Sequence, residues 1–202
     1  MPRAIPVPSA ILFATLLVAA MLFAPVPAMA HTGHGAASGL MHGFLHPLGG
    51  LDHVLAMVTV GLIAAQGGGR ALWLVPASFM VVMAAGGALG MSGLDLPYVE
   101  LGIAGSVIAF GLALALGLPL PVLAAMGLAG FFALFHGHAH GAEMPADGAA
   151  LAYGIGFLAA TGLLHATGIG AGAVLTRGGT TALRATGAAV AVAGVALIAG
   201  IA

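Results

Sequence analysis

Six apolar stretches of roughly 20 residues, parted by short breaks of glycine, proline and charge, leave this chain few ways to fold. A helix of that length covers about 30 Å, the thickness of a bilayer's hydrocarbon core. The stretches fall near residues 45–66, 71–91, 98–116, 120–140, 149–172 and 182–201. The breaks between them carry turn and helix-stop signals: Gly67-Gly68-Gly69-Arg70, Leu94-Asp95-Leu96-Pro97, Gly117-Leu118-Pro119, the segment 141–148, and Arg177-Gly178-Gly179. No stretch alternates as a half-buried strand would, and a helix satisfies its own backbone groups inside lipid. Charge agrees, since only 4% of residues carry it, against roughly 25% in a soluble domain. A soluble globule, a nucleic-acid binder and a disordered tail each need charge that this chain lacks. The expected fold is therefore an all-α polytopic membrane protein, with six transmembrane helices in one domain over residues 31–202.

Residues 1–30 read as a cleaved signal peptide. Arg3 supplies the positive start, the run from Ile11 to Phe23 is apolar but short, and Ala28-Met29-Ala30 is a small-residue cleavage signal. An uncleaved first helix is the alternative. On either reading His31 emerges on the far side of the membrane, and the loops after the first, third and fifth helices face the cytoplasm. Arg70, Arg177 and Arg184 fall at the first and third of those loops, while Asp95, Glu143 and Asp147 fall in the opposite ones. That distribution obeys the positive-inside rule. Among the glycines, Gly86 and Gly90 make a small-xxx-small face, and Gly168, Gly170 and Gly172 would admit a neighbouring backbone. No G-x-x-x-x-G-K-[ST] sequence is present, so ATP hydrolysis is not expected.

Nine histidines stand beside these few charges. One group is His46-Pro47-Leu48-Gly49-Gly50-Leu51-Asp52-His53, with Met57 one turn on. Pro47 suits the first turn of a helix. In a helix beginning there, His46, His53 and Met57 share a stripe, and His53 lies roughly 10 Å deeper than His46. Asp52 would be turned about 100° from His53, toward a facing helix. An aspartate at that depth costs about 2.5–3.5 kcal/mol unless it is paired or binds a cation. A buried Asp–His hydrogen bond and a metal site both answer that cost.

The second group is Phe135-His136-Gly137-His138-Ala139-His140-Gly141-Ala142-Glu143. If it is helical, His136 and His140 share a face, Glu143 follows one turn later, and His138 points away. Two imidazoles at that spacing can chelate one divalent ion. If it is extended, all three histidines align as a surface collector. Glu100, near the start of the third helix, is either a partner for His53 or His136 or an interfacial acid. His165, toward the cytoplasmic end of the fifth helix, is either an exit ligand or a histidine bonded to a carbonyl. His31, His34 and His42 form a loose outer tract that either gathers metal or is simply solvated. Cysteine is absent, so the donors are imidazole and carboxylate, with Met57 as a soft contact. Imidazole suits nickel, copper, zinc and iron, whereas magnesium and calcium prefer oxygen shells. A divalent transition metal follows; which one does not.

These two segments resemble the signatures of the HupE/UreJ family of hydrogenase and urease accessory membrane proteins. Val99-Glu100 with Gly102 and Ser106 is similar to the family's third helix, and Gly156-Phe157 through Leu164-His165 to its fifth. The run from His46 to Asp52-His53 is also similar to the H-x4-D-H signature of nickel/cobalt permeases, with one extra residue between. The resemblance implies a permease for nickel, with cobalt as a second cargo, serving hydrogenase or urease maturation. It implies no prosthetic group and a bacterial inner-membrane location with a periplasmic amino terminus. The partners expected are the divalent ion, the lipid bilayer and a periplasmic or outer-membrane metal supplier, with no nucleic acid.

The leading expectation is a secondary transporter, not an enzyme, with His46, Asp52, His53, His136 and His140 as its metal site. Glu100 and Glu143 would support or admit the ion, and His31, His34, His42 and His46 would concentrate it at the mouth. Protons compete with metal for imidazole, so binding should weaken as pH falls through roughly 6.5. The alternative is a zinc-dependent intramembrane hydrolase using the same His/Asp cluster. H-E-x-x-H is absent, and Ser106 is the hydroxyl best placed for it.

Overall fold

The computed structural model describes residues 36–144 and 149–200. The signal-peptide reading, His31, His34 and Asp147 lie outside the described residues. Among the described residues seven α-helices follow one another: α1 (Ala36–Leu45), α2 (Leu51–Gly67), α3 (Ala71–Met91), α4 (Val99–Ala115), α5 (Val122–Ala142), α6 (Ala150–Leu175) and α7 (Thr180–Ile198). Short 3-10 turns, His46–Leu48 and Thr176–Gly178, sit between α1 and α2 and between α6 and α7. Helices α3, α5, α6 and α7 are each long and apolar enough to cross a membrane. α4 is apolar but has 17 residues, and α1 with α2 makes an apolar pair bent by 80°. Large apolar side chains such as Val81, Leu123, Leu151 and Val192 project outward, as lipid requires. The chain is a multi-pass membrane protein.

The ends of the later helices fall close to those expected from sequence, but the first span does not start at residue 45. A separate helix precedes it, and the chain breaks at His46–Gly50. The cause is local. Pro47 lies in the first positions of a 3-10 turn, where it offers no N–H to continue the preceding helix. Gly50 is extended at φ −104° and ψ 119°, and caps α2. His46 and His53 therefore do not share one helical stripe.

The helices pack backbone to backbone where glycine removes a side chain. α3 and α5 run parallel: Gly137 faces the Met83 carbonyl, Gly141 that of Gly87, and Gly90 that of His138. Gly86 belongs to the same seam, so the small-xxx-small face expected at Gly86 and Gly90 is present. α2 and α6 meet at Gly61 and Gly168, with Gly172 against Ala65, whereas Gly170 faces open space. α1 covers the first turns of α6 through Gly43, against Tyr153, and Gly156, against Leu40. α4 and α7 run antiparallel through Gly111 and Gly187.

Candidate functional site

The break before α2 decides where its histidines go. With the chain turned by 80°, His46 and His53 reach the same imidazole on α5 from different elements. Ring centroids lie 4.7 Å apart for His46 and His140, 4.5 Å for His53 and His140, and 4.7 Å for His53 and His136. α5 stays helical through Ala142, so His136 and His140 share a face as the helical reading expects, and the extended-collector reading falls. His53 touches both rings.

Hydrogen bonds fix which nitrogens are free. Asp52 Oδ1 lies 2.7 Å from His53 Nδ1 and also accepts the His53 backbone N–H at 2.7 Å. A carboxylate only accepts, so Nδ1 carries the proton and Nε2 keeps its lone pair. Asp52 thus turns back onto its neighbour and not, as its helical position suggested, toward a facing helix. Ser106 donates its hydroxyl proton to the Ile103 carbonyl at 2.6 Å and lies 2.9 Å from His136 Nε2. The ring must then donate from Nε2, which leaves the Nδ1 lone pair free. Fixing an imidazole's tautomer through its second nitrogen is how metal-ligating histidines are commonly held.

His53 Nε2, His136 Nδ1 and both nitrogens of His140 are buried without a hydrogen-bond partner. Each such group costs about 1–3 kcal/mol. Apolar side chains would fill this space without that cost, so four such atoms on touching rings are unfavourable as packing. Three of them can hold a lone pair at once, one on each ring, since a neutral His140 keeps a proton on its other nitrogen, and three imidazole lone pairs suit a cation. Toward the end of α5, His46, His140 and Glu143 each offer a donor atom, all within 4.8 Å of one another. His46 Nε2 and Glu143 Oε2 are 3.5 Å apart, with the Glu143 side chain 65% exposed. Metal–ligand bonds of about 2.0–2.2 Å would draw such a set closer together.

The other expected residues divide. His42 lies on α1 with its ring 6.0 Å from His46, at the margin of the cluster. Met57 is fully buried one turn below His53. His138 points away, and its Nε2 donates to the Leu94 carbonyl at 2.6 Å, tying α5 to the loop after α3. Glu100 is exposed in the first turn of α4 and pairs with neither His53 nor His136. His165 is buried on α6 with no carbonyl partner, its ring 5.2 Å from Phe79. It lies buried within the bundle.

Three aromatic rings also border the cluster, of which only Phe157 lay in a segment singled out from the sequence. Phe157 is 4.2 Å from His140, Tyr153 is 5.8 Å from His46, and Phe79 is 5.6 Å from His136. Nothing in the local patterns of Tyr153 and Phe79 separates them from ordinary core aromatics. Beside His140 a largely apolar cleft of about 430 Å³ opens between α3, α5 and α6, with Met83, Met91 and Met144 in its wall.

The family model for HupE / UreJ protein matches residues 18–197. The chain belongs to the HupE/UreJ family. It is also 46% identical over 177 residues to Protein HupE of Rhizobium leguminosarum bv. viciae, covering 87% of this chain and 93% of that relative. No solved structure matches. Every motif position from which the resemblance to the HupE/UreJ family was read, His46 through His53 and Phe135 through Glu143, lies within the matched span.

Proposed function

We propose that the protein is a secondary transporter that imports a divalent transition metal, nickel first and cobalt second, for hydrogenase or urease maturation. The observation that carries this reading is the set of touching imidazoles from two helices, with buried, unpartnered nitrogens, inside an apolar bundle. His53, His136 and His140 are the principal ligands, and Asp52 and Ser106 set the tautomers of the first two. His46 and Glu143 receive the ion at the mouth and hand it to His140, which belongs to both sets. His42 extends that mouth. Glu100 acts as an interfacial charge near the entrance.

In this reading α2 to α7 make six crossings after a cleaved signal peptide, in the inner membrane of a bacterium with the amino terminus periplasmic. α1 lies along the outer half of α6. A periplasmic or outer-membrane supplier delivers the metal. A potential negative inside favours cation entry by about 2.3 kcal/mol per charge per 100 mV, so inward movement needs no nucleotide. The hydrolase alternative lacks comparable support. Zinc hydrolysis needs a carboxylate free to take a proton from metal-bound water, and Asp52, the acid beside His53, is already bonded to that residue's ring and backbone.

The test is metal accumulation, measured by mass spectrometry in cells expressing wild type, His53→Ala or empty vector, across nickel, cobalt, zinc and copper. Nickel accumulation should exceed that of empty vector in wild type and fall back to it in His53→Ala. Equal accumulation in all three would sink the transporter reading.

A further inference from the structure

We propose that His165 and Thr161 form a second, inner station for the transported ion, with the Phe79 ring as the partition between it and the outer imidazoles. The proposal rests on the permease reading and extends it inward.

His165 is 1% exposed, and neither Nδ1 nor Nε2 has a hydrogen-bond partner. Thr161 is 0% exposed, and its Oγ1 is likewise unpartnered. The two are four residues apart on α6, hence on one face. A helical threonine ordinarily returns its hydroxyl to the carbonyl four residues earlier. Thr59, Thr167, Thr176 and Thr186 all do so here. Thr161 does not, although it is as deeply buried as any of them. An imidazole and a hydroxyl, adjacent and both unsatisfied, offer one nitrogen and one oxygen donor to a partly dehydrated divalent cation.

Phe79 contacts one ring of each group, His136 of the outer cluster and His165 of this pair. Its ring is 5.6 Å from His136 and 5.2 Å from His165, edge-on to the latter, and it is completely buried. Phenylalanine has no ligand atom, so in the proposed path its ring is the barrier that an ion crosses between His136 and His165. The backbone carrying His165 is fixed, because α2 and α6 meet at Gly61 and Gly168 with no room for a Cβ. Rotation of one side chain is therefore the least disruptive way through. Two stations with a barrier between them keep the pathway closed while either is filled.

The test uses the full chain, purified and reconstituted in vesicles, with Co2+ as the probe. Influx is read by a trapped fluorescent chelator, and binding by Co2+ absorption in detergent. His165→Gln and Thr161→Val should each lower influx by about tenfold or more, while the absorption bands of the outer imidazoles persist. Phe79→Ala should speed Co2+ efflux from preloaded vesicles, again with binding retained. Variants that carry Co2+ at the wild-type rate would overturn the inner station, as would joint loss of binding and influx in monodisperse protein. Wild type that neither binds nor carries Co2+ would overturn the permease reading itself, so the two failures are distinct. If one α6 variant loses monodispersity, the other decides.

Discussion

At Gly50 an added Cβ would lie 2.7 Å from Asp52 Oδ1 and 3.0 Å from His53 Nδ1. The backbone there is extended, a conformation alanine adopts freely, so the glycine is required by its neighbours and not by its own torsions. Replacing it should push the Asp52–His53 pair apart without unfolding α2. We expect Gly50→Ala and Asp52→Asn each to weaken metal binding by about 10–100-fold, the usual effect of losing an orienting partner. Calorimetric titration of the purified protein with Ni2+ checks this, and wild-type affinity in both variants would remove Asp52 from the role assigned here. Residue identities at this site were legible in the sequence, since Asp52-His53 within an apolar run demands a partner. Their orientation was not. Asp52 sits in the first turn of α2 and accepts an N–H that has no helical partner, and that local bond outweighs the turn toward another helix.

Elements follow the same division. The ends of α3, α5 and α6 were readable from Gly, Pro and Arg, because turn chemistry is local. The interruption at His46–Gly50 carries the same signals, yet they read equally well as a helix start, since proline suits a first turn in either case. Only the packing of α1 against Gly156 on α6 shows that helix also precedes it. The α3–α5 seam gives the sharpest prediction at this scale. A Cβ at Gly137 or Gly141 would overlap the carbonyl of Met83 or Gly87, two rigid backbones that cannot yield as a side chain would. Each alanine substitution should destabilise the protein by about 1–3 kcal/mol through overpacking. Gly127 on the same helix meets nothing within 4 Å, and Gly127→Ala should be neutral or slightly stabilising. Thermal unfolding in detergent separates them, and equal Tm values for Gly137→Ala and Gly127→Ala would contradict the seam.

Across the whole molecule, polar groups sort by end. Arg70 precedes α3, Arg177 follows α6, and Arg184 lies near the start of α7 with its Nε donating to the Ala115 carbonyl at the close of α4. Tight turns join α2 to α3 and α6 to α7, and α3 runs parallel to α5, so these arginines share one end of the bundle. Asp95, Glu100 and Glu143 lie at the other. Exposed aromatics mark both levels, with Trp73 in the first turn of α3 and Tyr98 before α4, as side chains at the two lipid–water interfaces do. The sequence carried this asymmetry in its loops, and it led to one expected site for both imidazole segments; which rings touch was beyond it, because the segments lie far apart in the chain. The orientation has a clean test, since the chain contains no cysteine. In intact spheroplasts a membrane-impermeant maleimide should label Asp95→Cys directly, and Arg177→Cys only after permeabilisation. The opposite pattern would turn the arginine end outward. It would also place His46 and Glu143 on the cytoplasmic side, and the mouth proposed for metal entry would become its exit.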